Sequence, residues 1–348
     1  MNTTLNYTKE ILKNIINIPS PSGYCQEVLE YIFEQAKGLG FDCSMTAKGN
    51  GIIHIPCHPD NNKNKKGVLL TAHVDTLGAM VRSIKPDGKI RMTSVGGFMM
   101  QSVEGEYCTI HMRNKKTVTG TILSTKPSVH VYQDARSMER KEECMEIRLD
   151  EAVTTKEEVE ALGITVGDYI SFDPRYSESK SGYIKSRHLD DKAGVAILLG
   201  LMHYLHQHNV QLYRDVTIML STYEEVGHGS SYIPKDIDTL LAIDMGAIGD
   251  DLSCTEKDVS ICVKDGRGPY DYGMVNQLIE VAKTNNLSYA LDVYPYYSSD
   301  ASAALAGGHD IKAALIGPGV HASHTMERTH EEGLQNTVQL LIEWLSLQ

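Results

Sequence analysis

Nowhere does the sequence approach the ~18 consecutive apolar residues that a membrane-spanning helix needs. Its first stretch, MNTTLNYTKEILKNIINIPSPSG, is too polar for the apolar centre of a signal peptide, so the expected location is the cytoplasm. Paired cysteine spacing is missing too. Cys25, Cys43, Cys57, Cys108, Cys144, Cys254 and Cys262 are scattered and odd in number, which argues against a disulfide framework or a zinc ribbon and for reduced, mostly structural thiols. Positive charge is in deficit, with 33 Lys and Arg against 45 Asp and Glu and a net charge of -12. That balance works against binding nucleic acid or an acidic membrane, whose phosphates need a basic field. A metal ion or a substrate's amino terminus suits it better. Internal repeats and low-complexity tracts are absent.

What is present is an ordinary soluble composition, 41% hydrophobic and 22% charged, over 348 residues, more than one hydrophobic core usually organises. Ile11, Leu12, Ile15 and Ile16, then Val28, Leu29, Ile32, Phe33 and Ala36, recur at helical spacing and predict two leading helices. GIIHIP and GVLLTAHVD follow as strands, separated by the polar CHPDNNKNKKG, expected as an exposed loop. The second strand is apolar almost throughout, as when both sheet faces are covered. From about 78 to 183 short alternating segments (AMVRSI, KIRMTSV, EYCTIHMR, TVTGTIL, DYISFD) and hairpin signals predict a β-rich unit, with one Thr-capped helix in TTKEEVEALGI. Beyond 184, alternating strands and helices return. The expectation is an α/β catalytic domain in two parts, 1–77 and 184–348, interrupted by a β-rich insertion at 78–183.

Chemistry-bearing residues collect where strands end: His73 and Asp75 in AHVD, Asp190 and Asp191 in RHLDDKAG, Glu224 and Glu225 in YEEVG, Asp244 in AIDMG, and His321, His324, Glu327 and His330 in GVHASHTMERTH. Carboxyl ends of strands are where open α/β sheets gather ligands. His73 and Asp75 point to one strand face, so that the Asp could hold one imidazole nitrogen while the other binds metal. One carboxylate opening a helix is an ordinary cap, but two adjacent ones are not explained that way. Asp244 ends an apolar strand, where a buried carboxylate must be paired, protonated or metal-bound. Glu224 and Glu225 would be a solvated turn in isolation. Together these places offer imidazoles and acids suited to two divalent cations bridged by a carboxylate and a water.

In that order, His-x-Asp, Asp-Asp-Lys-Ala-Gly, Glu-Glu, a strand Asp and a late His, the sequence resembles metallopeptidase family 42, the TET-type aminopeptidases often labelled glutamyl aminopeptidase or endoglucanase-like. Segments such as GKIRMTSVGGF, GTILSTKPSVH and TTKEEVEALGITVGDYISFD extend the resemblance over nearly the whole chain. It implies a phosphorylase/hydrolase-like three-layer α/β domain with an inserted PDZ-like or barrel dimerisation domain. It also implies two divalent ions, zinc foremost, with cobalt or manganese as substitutes. The implied ligands are His73, Asp190 as the bridge, Glu225, Asp244 and a closing histidine, His324 or His321, with His324 preferred by its place relative to Glu327. Glu224 becomes the general base, with Asp75 beside it in the catalytic set. The adjacent glutamates then tolerate each other because two cations dominate the local field. The closing segment lacks the Arg-Tyr common in the family, and SSDASAAL stands where relatives have Gly-Thr-Asp, so Asp300 and His321 are expected to line the substrate pocket.

The expected reaction is hydrolysis of the amide bond at a free amino terminus of a peptide, in an enzyme that is a homo-oligomer, a dimer up to a hollow dodecamer, through its insertion. The alternative is a deacylase or amidase acting on an N-acyl amino acid or a small amide osmolyte. A metal-free glycoside hydrolase using paired carboxylates would leave His73 and His324 idle, and an inactive scaffold would not keep Glu224.

Overall fold

The computed structural model describes residues 1–58 and 66–348; residues 59–65, most of the expected polar loop, lie outside the described residues. Strand Gly67–His73 is buried at every position because Val216–Ser221 and Ile237–Ile243 flank it, both parallel, and helices cover its faces. Around this centre the sheet runs Asp42–Met45, Gly51–Ile55, Val216–Ser221, Gly67–His73, Ile237–Ile243, Lys312–Val320, Val259–Asp265. Pairing Ser221 with His73 and Ala242 with Thr71 brings the carboxyl ends of the central strands level.

Helix Leu189–Gln207 is buried on all sides from Leu189 to Met202, since it lies between the sheet and the helices Asn2–Ile16 and Glu331–Leu345. Lys192, whose ammonium is buried in this interface, donates to the Ile15 and Ile18 carbonyls at 2.8 and 2.6 Å. It thereby caps the negative end of the first helix.

The β-rich stretch is a closed six-stranded barrel, in spatial order Gly78–Ile84, Ile90–Val95, Met145–Leu149, Thr117–Ser124, Tyr107–His111, Tyr169–Phe172. Val81, Ile90, Ile110, Ile122, Ile147 and Ile170 fill it as a core separate from that of the sheet. Helix Lys156–Leu162 carries the expected capping box, Thr155 with Glu158, and stops at Gly163, whose φ of 99° suits glycine. After the barrel, Tyr183–Ser186 pairs with Glu327–His330 in a small sheet, so the polar ERTH segment is a strand. Among the described residues no helix is long and apolar enough to cross a membrane.

Candidate active site

Four connections leave the level carboxyl ends of the central strands, and each delivers an acid or an imidazole to one place. His73 is the last residue of its strand. Its Nδ1–H donates to the Asp75 backbone carbonyl at 2.8 Å, leaving Nε2 aimed at Asp190 Oδ1, 3.2 Å away. The partner that fixes the ring is therefore the carbonyl, not the expected carboxylate, which stands 3.6 Å off. The Asp75 carboxylate serves the neighbouring turn instead. It accepts from the Glu224 and Glu225 amides at 3.1 and 3.2 Å and from the Ser22 hydroxyl, clamping the backbone that holds both glutamates.

Asp190 opens the long helix through a cis peptide to Asp191. Its Oδ1 faces His73 Nε2 and its Oδ2 faces His324 Nε2, each at 3.2 Å, so one carboxylate spans two imidazoles. Asp191 accepts from the His73 and Gly194 amides at 3.2 and 3.1 Å. His324 repeats the logic of His73. Its Nδ1–H donates to the Gly97 carbonyl at 2.5 Å, while Nε2 faces Asp190 and, at 3.5 Å, Glu225. Gly97 follows a barrel strand, so the barrel orients an imidazole of the sheet domain.

Glu224 and Glu225 sit in a short 3-10 turn after strand Val216–Ser221. Glu224 Oε2 lies 3.8 Å from His73 Nε2. Glu225 Oε2 reaches His324, and its Oε1 is buried without a hydrogen-bond partner. Asp244, just past strand Ile237–Ile243, accepts from the Met245 amide at 2.7 Å. Burial pushes the carboxyls of Glu224, Glu225 and Asp244 up, the last to about 7, with neighbouring acids adding to the shift. Positive charge at the centre would reverse this. Donor atoms of His73, Asp190 and Glu225, and separately of His73, Asp191 and Asp244, all lie within 4.8 Å of one another. An orphaned buried carboxylate oxygen and two imidazoles whose Nε2 atoms converge on one carboxylate fit divalent cations.

Two residues that sequence reasoning left without a role complete the arrangement. Buried Glu327 accepts from the Asp190 amide at 3.1 Å and the His324 amide at 2.9 Å, tying the segment of Asp190 to that of His324. Arg187 bonds Glu106 at 2.8 Å, the Ser102 carbonyl at 2.5 Å and the Thr325 carbonyl at 3.2 Å, linking the barrel to the turn that carries His324. Both lie inside singled-out motifs, RHLDDKAG and GVHASHTMERTH, but nothing in those motifs told their tasks.

Asp300 and His321 are placed differently from the expectation. The buried Asp300 carboxylate accepts from Ser221 at 2.5 Å and from the Ser230 amide at 2.8 Å, bracing the segment behind the glutamates. It does not face the cavity, because both of its oxygens are taken by that segment. His321 is exposed, its backbone paired with Arg328, outside the cluster. The cavity above the acids, of about 630 Å³, is walled instead by Phe98, Met99, Met245, Tyr296 and Tyr297 with small hydroxyl residues.

The sequence pattern of the family described as M42 glutamyl aminopeptidase matches residues 49–340. The chain is 48% identical over 340 residues, 97% of each chain, to the Bacillus subtilis protein "Putative aminopeptidase YhfE". In three dimensions it is similar to an aminopeptidase from the archaeon Desulfurococcus kamchatkensis, with a TM-score of 0.87 at 22% identity over 99% of this chain and 96% of that one. It is likewise similar to the Pyrococcus horikoshii TET1 peptidase, described as able to assemble into a tetrahedron or a large octahedral shell, with a TM-score of 0.85 at 24% identity over 97% and 99%. At those identities the structural likeness shows the fold.

Proposed function

The chain belongs to the M42 glutamyl aminopeptidase family, and from that premise we propose that it hydrolyses the amide bond after the N-terminal residue of peptides, with Glu224 as general base beside a pair of divalent cations. The observation that carries this reading is Asp190, whose two oxygens each face a different imidazole at 3.2 Å. His73, Asp190 and Asp244 would hold one ion, and Asp190, Glu225 and His324 the other. Such ions, when bound, lower the pKa of water and polarise a carbonyl. Zinc suits this mixture of nitrogen and oxygen donors, and cobalt or manganese can replace it.

The chain's own residues supply the rest. Backbone carbonyls of Asp75 and Gly97 hold the two imidazoles with Nε2 inward. Asp75 fixes the direction in which Glu224 enters the cavity. Glu224 takes a proton from the attacking water and returns it to the leaving amine. The acids around it favour a substrate with a cationic amino terminus. Glu224→Gln is expected to keep the metal content while turnover falls by ~10²–10⁴, the usual range for loss of a general base. Full activity in that variant would remove Glu224 from the role.

Self-association through the barrel is part of the same reading. Between strands Thr117–Ser124 and Met145–Leu149 the chain exposes Val129, Val131 and Tyr132, with Val131 72% exposed. Grouped apolar side chains on a surface are a usual mark of a partner, here a second copy of the chain, as the assembling TET1 likeness suggests.

A further inference from the structure

The same cavity carries an inference about which peptides enter, and it rests on the aminopeptidase reading above. Its charged lining consists of Asp190, Glu224, Glu225, Asp244 and His324; among the described lining residues there is no Lys or Arg. With those acids committed to the ions, a substrate Glu side chain would leave water against an apolar wall that offers no guanidinium or ammonium to meet it. An unpaired charge in such a place is strongly penalised. The remaining wall is of another kind. Phe98 is held edge-on against Phe172 with centroids 5.3 Å apart, and the Tyr297 hydroxyl donates to the Met245 carbonyl at 3.1 Å. These two anchored rings fix a surface to which Met99, 61% exposed, and Tyr296, fully exposed, add apolar area at the mouth.

We propose that the Phe98, Met99, Met245, Tyr296 and Tyr297 wall receives the side chain of the substrate's N-terminal residue, so that this enzyme selects neutral apolar or aromatic residues and rejects acidic ones. That differs from the acidic preference the family's glutamyl label describes. Thioether and ring surfaces are adaptable and sequence-tolerant, so the selection is by polarity more than by shape. A lysyl side chain gains little either, because the lining's carboxylates are committed to the ions and the wall itself holds no acid.

The test is a panel of Leu, Met, Phe, Lys and Glu p-nitroanilides, with N-acetyl-Leu p-nitroanilide and N-acetylated amino acids beside it, assayed on the full-length protein loaded with zinc or cobalt. The expected kcat/KM for Leu, Met and Phe exceeds that for Glu by about 100-fold, the equivalent of an unpaired buried charge, and exceeds that for Lys as well. A Glu or Lys substrate cleaved as fast as the Leu substrate overturns the pocket assignment while leaving the aminopeptidase reading in place. Cleavage of the N-acetyl series alone overturns both. Ser298→Arg, at a lining position near the mouth, is expected to raise the Glu-to-Leu ratio by about tenfold, since it supplies the missing counter-charge. Tyr296→Ala is expected to raise KM for the Phe substrate with kcat nearly kept, and an unchanged KM counts against the wall.

Discussion

Glu327 shows how much of this site is built from backbone contacts. Each of its oxygens accepts one amide, from Asp190 and from His324, so the carboxylate ties the backbone of one to that of the other. Glu327→Gln keeps the shape but replaces one acceptor with an NH2 that must face an N–H donor. It is expected to weaken metal binding by about 10–100-fold, the usual effect of losing a group that orients a ligand, as measured by titration against a competing chelator. An unchanged affinity would make Glu327 a mere buried acid. Residue types at strand ends were legible in the sequence because acids and imidazoles interrupt apolar runs at His73, Asp190 and Asp244. Glu327 was visible as a candidate but its task was not, because one of its two partner amides lies 137 residues away. Asp300 misled for the same reason: an acid beside a pocket motif gives no hint that Ser221 and Ser230 have already claimed its oxygens. Gly317 was equally silent, yet a Cβ there would overlap the Asp244 carbonyl oxygen.

Among elements, the parallel strands were readable because burial on both faces makes them continuously apolar, and the barrel strands because alternation and turn residues mark them. Strand Glu327–His330 was not, since ERTH is polar and is held by pairing with Tyr183–Ser186 rather than by any apolar face. What joins the barrel to the sheet domain near the site is also polar. Arg187 and Glu106 are both buried and 2.8 Å apart. Arg187→Met leaves Glu106 without its main partner, and loss of one member of such a pair destabilises by ~3–5 kcal/mol. The expected outcome in denaturant unfolding is that loss, with turnover reduced as well because the Thr325 carbonyl loses its donor. Adding Glu106→Leu removes the stranded charge and is expected to restore stability but not turnover. Recovery of both would reduce Arg187 to a structural filler.

For the molecule as a whole, the sequence made the two-core organisation legible, because the change of texture near residue 78 is a change in hydrophobic period. It could not show which surfaces remain open after folding. The exposed Val129, Val131 and Tyr132 emerge only from the barrel's packing. Light scattering on the intact protein is expected to give a mass that is a multiple of one chain. Val131→Asp is expected to lower that mass, since it puts charge into an apolar contact of a molecule already at -12. A single-chain mass for the unaltered protein would end the self-association reading.

The Gly97 carbonyl that holds His324 belongs to the loop leaving barrel strand Ile90–Val95. Between that loop and the Asp190 carboxylate there stand only one peptide plane and one imidazole.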